Sequence, residues 1–229
     1  MSPSAALLHR LLQAADAKAA DLVAHCHPAW IEAAWRHVGA PAARHAQRVA
    51  PLRGSALLAE VYGLQWPALA DLRPPAHRLA LLGRAQILRV LAACALHARR
   101  DSVRRSIGRD VRRLVVDHIG EPAYQQLLAS PAQGVAAVQP LNAPELDLDR
   151  LAGAGYQALC EQGAWQCRRS LALTRVSLAP AALEAKRPRT TPPTAPVRVD
   201  TNGVLARLPD YFPEHTWLFG SDMDRALSA

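Results

Sequence analysis

The chain has 229 residues, with 27 Lys and Arg against 19 Asp and Glu, for a formal net charge of +8. Half the residues are apolar but only 5% are aromatic, so the core has to be built largely from Ala and Leu. That composition favours closely approaching helices over a sheet of β-branched and aromatic residues.

At this length the chain can bury roughly 70–75% of its unfolded surface. Only Lys18 and Lys186 are lysines. Arg and Ala enrichment with Lys depletion is also what codon bias in a GC-rich genome produces, an alternative source for the overall basic excess that explains a local concentration of charge less well. No stretch reaches the ~18 uninterrupted apolar residues of a bilayer span. The opening MSPSAALLHRLL lacks a charged region followed by a long apolar run, so no secretory leader is expected. The four cysteines, 26, 94, 160 and 167, show no disulfide framework, and a reduced, cytoplasmic protein is the expectation.

Residues 4–25 predict a first helix with Leu7, Leu8, Leu11, Leu12, Ala15, Leu22 and Val23 on an apolar stripe. It ends in HCHPAW. Pro28 disfavours the α region for His27 and suits the first position of a new helix, which carries Trp30, Ile31, Ala34, Trp35 and Val38 and stops at Gly39-Ala40-Pro41. Residues 42–49 read as a short helical or irregular piece. SALLAEVYG, 55–63, reads as a further helix, and Trp66-Pro67 and Arg73-Pro74-Pro75 mark turns.

The charge is concentrated between Ala76 and Gly120. Ten Arg and three Asp lie there, a net of +7, and the rest of the chain sums to +1. Two helical patterns run back to back through this stretch. Ile87, Val90, Leu91, Cys94 and Ala95 line one face of the first. In the second, 101–119, Val103, Ile107, Val111, Leu114 and Val115 form the buried stripe, with Arg105, Arg109, Arg112 and Arg113 opposite. Asp101 or Ser102 is the expected N-cap and Gly120 the expected stop. The pair should form a hairpin or a helix-turn-helix corner.

After Gly120, Pro122 opens a helix through Leu128, and 130–144 reads as a loop. A helix over 146–165 is interrupted near Gly153 and Gly155. Residues 168–185 fit either an edge strand or a helix, with the helix preferred. KRPRTTPPTAPVRVD, 186–200, is a semi-rigid, partly polyproline linker. Four of the eleven aromatic residues, Tyr211, Phe212, Trp217 and Phe219, lie in the last 29 residues. Such a tail either folds back on the body or serves as a linear motif for a partner. The fold class expected is mainly α: a multi-helix bundle over 1–185, the linker 186–200 and the aromatic segment 201–229.

Residues with chemistry to offer are sparse. His25, Cys26 and His27, with His37 and His45 in reach, are metal-ligand types, but the paired spacing of zinc sites is missing; capping and burial explain them better. Glu145, Asp147 and Asp149 suit a solvated helix start, where acids complement the dipole. No phosphate-cradling glycine loop, nucleophile elbow or His-Glu metalloprotease helix occurs. No catalytic residue, cofactor or metal is therefore expected. The arginine helix is suited to an anionic partner. Arg104, Arg105, Arg109, Arg112 and Arg113 suit carboxylates of an acidic protein through bidentate pairing. They also suit nucleic-acid phosphates, although the helix offers only Ser106 toward base edges.

At HCHPAW, at LLGRAQILRVLAACALHARRDSVRRSIGRDVRRLVVDHIG, and at LPDYFPEHTWLFGSDMDRAL, the chain resembles the SctK family of bacterial type III secretion. This is the YscK/PscK-like accessory protein, Hrp-type in plant pathogens. The ending Tyr211-Phe212-Pro213-Glu214 with Trp217-Leu218-Phe219-Gly220 looks like the Hrp branch. The resemblance implies a cytoplasmic, non-enzymatic adaptor. Such an adaptor bridges an SctD-like inner-membrane ring domain to the SctQ-like pods of the sorting platform, which recruits the ATPase complex. Two separate binding surfaces are then needed, and the sequence offers the arginine helix and the aromatic tail. Nucleic acid is the alternative partner.

Overall fold

The computed structural model describes residues 3–39, 51–106, 108–131, 139–184 and 201–228, and these are helical with no strand among them. In chain order the helices are α1 (Pro3–Ala20), α2 (Leu22–His25), α3 (Pro28–Val38), α4 (Pro51–Val61), α5 (Pro75–Arg78), α6 (Arg84–Ala98), α7 (Arg100–Arg105) and α8 (Arg109–Ile119). There follow α9 (Glu121–Ala129), α10 (Leu148–Glu161), α11 (Arg168–Arg175), α12 (Pro180–Glu184), α13 (Thr201–Ala206), α14 (Leu208–Tyr211), α15 (Thr216–Phe219) and α16 (Ser221–Ser228). Short 3-10 turns occupy Leu69–Leu72, Leu79–Leu81, Ala143–Leu146 and Pro213–His215.

Local signals place several of these ends. His27 is extended and its Nδ1 accepts the Ala29 N–H at 3.1 Å, so it caps α3 with Pro28 in the first position. Gly120, at φ +87°, stops α8, and its N–H returns to the Val116 carbonyl. Residues 168–175 are helix rather than strand.

Other expectations are corrected. The helix expected over 4–25 breaks at Asp21, whose carboxylate turns back to the Ala24 N–H and caps α2. The helix expected at 55 begins at Pro51. The first helix of the arginine pair begins at Arg84, after α5 and the Leu79–Leu81 turn. The second, expected as one helix over 101–119, is two. Asp101 and Ser102 are not caps but lie inside α7, whose N-cap is Arg99. α7 ends at Ser106, where the hydroxyl donates to the Ser102 carbonyl and accepts the Leu141 N–H at 2.8 Å. α10 runs unbroken through Gly153 and Gly155. The expected stretches 42–49 and 186–200, together with His45 and Ile107, lie outside the described residues.

Contacts divide the chain into two units: Met1–Ile87, Ala164–Pro180 and Glu214–Ala229 in the first, Leu88–Gly163 and Ala181–Pro213 in the second. In the first, α1 packs on α4 and α16, α3 on α4, and α11 on α5. Its core gathers Leu22, Cys26, Ala34, Trp35, Leu58, Ala80, Leu173 and Val176. Arg78 is fully buried there, and each of its three nitrogens is hydrogen-bonded. Its guanidinium donates to the carbonyls of Leu72 at 2.8 Å, Leu218 at 3.0 Å and Arg73 at 2.6 Å, and to the Asp224 carboxylate.

In the second unit α9 packs on α7, α8 and α14, and α10 on α13. From Leu88 to His97 every residue but Arg89 is buried, so this part of α6 is covered all round rather than on one face. Backbones approach closely where side chains vanish: a Cβ on Gly153 would meet the Ala182 carbonyl oxygen at 2.7 Å. The glycines read as interruptions are contact points.

Candidate functional site

α8 is built as an amphipathic helix. Val115 and Ile119 are buried and Val111 and Leu114 half-buried, while Arg109, Asp110, Arg112, Arg113 and Asp117 face solvent. Arg113 is the most open, its side chain 84% exposed, with Asp117 3.8 Å away one turn on. Arg112 is 59% exposed, lies 3.6 Å from Glu121 and places its guanidinium carbon 5.5 Å from the Tyr124 ring centre. Arg109 has no hydrogen-bond or ion-pair partner among the described residues. Arg105, on α7, is exposed as well.

Most of the other arginines of the basic stretch end on backbone carbonyls of the fold. Arg104, expected on the outer face, donates to the Leu128 carbonyl at 2.8 Å near the end of α9 and pairs with Asp101 at 3.3 Å. Arg89 reaches the Ile119 carbonyl, the last of α8, at 3.3 Å, and lies over the Phe212 ring. Arg100 reaches the Pro131 carbonyl, and in the first unit Arg84 reaches that of Ser177. The last four carbonyls of a helix have no partner within it, and guanidinium groups supply donors to several such ends. Arg99 pairs with Glu145 at 2.9 Å. Among the described residues of the second unit ten arginines meet ten Asp and Glu. The concentrated charge therefore divides into struts to backbone carbonyls, the open Arg99–Glu145 pair and an exposed remainder at Arg105, Arg109, Arg112 and Arg113.

The aromatic tail residues lie in packed surroundings. In the second unit Tyr211 and Phe212 are each 1% exposed. The Tyr211 hydroxyl stands 2.9 Å from His97 Nδ1 and 3.3 Å from Ser130 Oγ, and Ser130 donates to the Gln126 carbonyl. In the first unit Phe219 is buried, while Trp217 is half-buried with the Arg10 guanidinium carbon 4.2 Å from its ring centre.

Other expected groups serve helix ends. Asp147 accepts the Arg150 N–H at 2.9 Å and starts α10. Cys26 is buried, and burial pushes its thiol up to about 11. Among the described residues no three His, Cys, Asp or Glu side chains gather as metal ligands would, and no helix is long and apolar enough to cross a membrane.

Sequence reasoning missed Lys18. It is 1% exposed, and its ammonium donates to the Leu82 carbonyl at 2.6 Å; burial brings its pKa down to about 7. Its rarity in an arginine-rich chain was the available signal. Arg78 carried no such mark, since a lone Arg in sequence reads as solvated.

A family model described as bacterial type III secretion protein (HrpB4) matches residues 10–214. No curated protein and no solved structure is similar enough to count as a match.

Proposed function

Because the chain belongs to the HrpB4 family of bacterial type III secretion proteins, we propose that it is a non-enzymatic adaptor of the secretion system's sorting platform. It works on the cytoplasmic face of the inner membrane, joining an SctD-like ring protein to an SctQ-like pod and ATPase assembly. The SctK resemblance supports this role.

One partner is held by the exposed guanidinium groups of Arg105, Arg109, Arg112 and Arg113. The observation that carries this assignment is the split in α8: Val115 and Ile119 anchor the helix from below, and Arg109 above them is uncommitted among the described residues. Guanidinium groups fixed on a rigid helix match carboxylates in bidentate geometry. Tyr211, Phe212 and Phe219 enter this reading as buried anchors of the C-terminal segment, and Trp217 as its half-buried ring.

The test is co-purification of the Arg109→Glu/Arg113→Glu protein with the ring protein's cytosolic domain and with the pod protein, after nuclease treatment at physiological salt. The expected result is at least a tenfold loss of one partner with an unchanged melting temperature. Unchanged recovery of both partners would sink the assignment. Binding that disappears with nuclease and falls steeply with salt would move the assignment to nucleic acid.

A further inference from the structure

An adaptor needs a second surface, and we propose that Trp30, Tyr62, Arg36 and Arg175 of the first unit form one that docks an apolar protein segment flanked by carboxylates. Its place in an adaptor rests on the reading above; the surface itself is argued from its own geometry.

Trp30 on α3 and Tyr62, just past α4, are half-buried and meet edge to face, ring centres 5.5 Å apart at 81°. Both polar tips are committed to the chain's own backbone. The indole N–H donates to the Leu178 carbonyl at 2.9 Å, and the Tyr62 hydroxyl donates to the Trp30 carbonyl. The surface these rings leave uncovered is therefore carbon, and Ile31 and Val61 beside them are half-buried aliphatics. Rings held this way lose little freedom on binding, which is what a docking anchor requires.

Two arginines stand at the rim. The Arg175 guanidinium carbon lies 5.6 Å from the Trp30 ring centre, and Arg36 is exposed in the last turn of α3, the helix that carries Trp30. Both arginines are exposed, and neither has a carboxylate within 4 Å among the described residues. Glu32 and Glu60, exposed on the same two helices, form no ion pair there either. Trp, Tyr and Arg around a partly desolvated centre are the residue types that dominate binding energy at protein interfaces. Two unpaired cations at the edge of an apolar centre select an acidic peptide chain; a nucleic-acid track would need cations along its length.

The experiment places the photocrosslinker p-benzoylphenylalanine in place of Ile31 in the full chain, with position 113 as a second site, in cells producing the native secretion apparatus. The adduct is sequenced. The expected result is a protein adduct at 31 whose peptide carries Asp or Glu beside apolar residues. Its yield should fall at least tenfold in the Arg36→Glu/Arg175→Glu background. Should that variant melt early, the unmutated chain cross-linked after lysis in 0.5 M salt replaces it, with the same fall expected. No protein adduct at 31, an adduct to nucleic acid, or a yield indifferent to charge reversal and salt overturns the proposal. If the acidic peptide belongs to a protein outside the secretion apparatus, the surface stands and the adaptor reading falls.

Discussion

A Cβ placed on Gly155 would stand 1.9 Å from the carbonyl oxygen of Leu91. No real Cβ sits that near a backbone oxygen, so α10 and α6 approach here only because the side chain is hydrogen. Alanine normally favours a helix over glycine by about 1 kcal/mol. Here the sign should reverse. Gly155→Ala should cost about 3 kcal/mol or more in urea unfolding, since the backbones must separate. Ala154→Gly, on the exposed side of the same helix, should cost only about 1 kcal/mol. Equal effects at the two positions would mean the contact is not tight.

The inward and outward arginines should behave differently. Arg104→Ala removes the donor to the Leu128 carbonyl and should lower stability by about 1.5–3 kcal/mol. Arg113→Ala loses one open pair with Asp117 and should change stability by less than about 0.5 kcal/mol. Thermal melts of the two proteins decide this, and similar melting temperatures would refute the division.

Arg78 ties α15 and α16 to the rest of the first unit through the Leu218 carbonyl and Asp224. Arg78→Met should expose buried carbonyls at a cost of about 3 kcal/mol and raise hydrogen exchange at 216–228 before other regions. Asp224→Asn should do much less, because that carboxylate is half-exposed.

Lys18 predicts a pH dependence. Burial lowers its pKa from 10.5 to about 7, so between these values the unfolded chain binds the extra proton and stability rises with pH. Below about pH 7 both states carry the proton and the cost is constant. Cys26, raised to about 11 by burial, opposes the trend above pH 9, so the clean window is about pH 7–8.5. Denaturant midpoints should climb there, at most about 1.4 kcal/mol per pH unit, and stay flat in Lys18→Met. His25, whose pKa burial lowers, works the same way at lower pH, removing stability as the pH falls through its unfolded value. A flat profile in the unmodified protein would mean that the Lys18 amine stays charged inside.

What the sequence made legible was local chemistry. The His27–Pro28 start and the Gly120 stop rest on residues adjacent in the chain, and composition alone pointed to helices. The break after Arg105 was hidden because Ser106 is held by Leu141, 35 residues away. Gly153 and Gly155 read as interruptions because nothing local shows the backbones they touch. The arginine surface was legible in part. Arg105, Arg109, Arg112 and Arg113 do face outward, whereas Arg104 is drawn in by a carbonyl that has no sequence signature. A charge is visible in a sequence, but a helix end that needs a donor is not.

The arginine preference also decides how this subunit can be seen inside an assembly. Of its two lysines, Lys18 is sealed in the core with its amine on a carbonyl. Amine-directed cross-linkers therefore find no open lysine side chain among the described residues, and nothing along α7 or α8. A contact map drawn from such reagents would leave the arginine face blank even with a partner seated on it. Reagents aimed at guanidinium or carboxylate groups would report on Arg109, Arg113 and whatever acids oppose them.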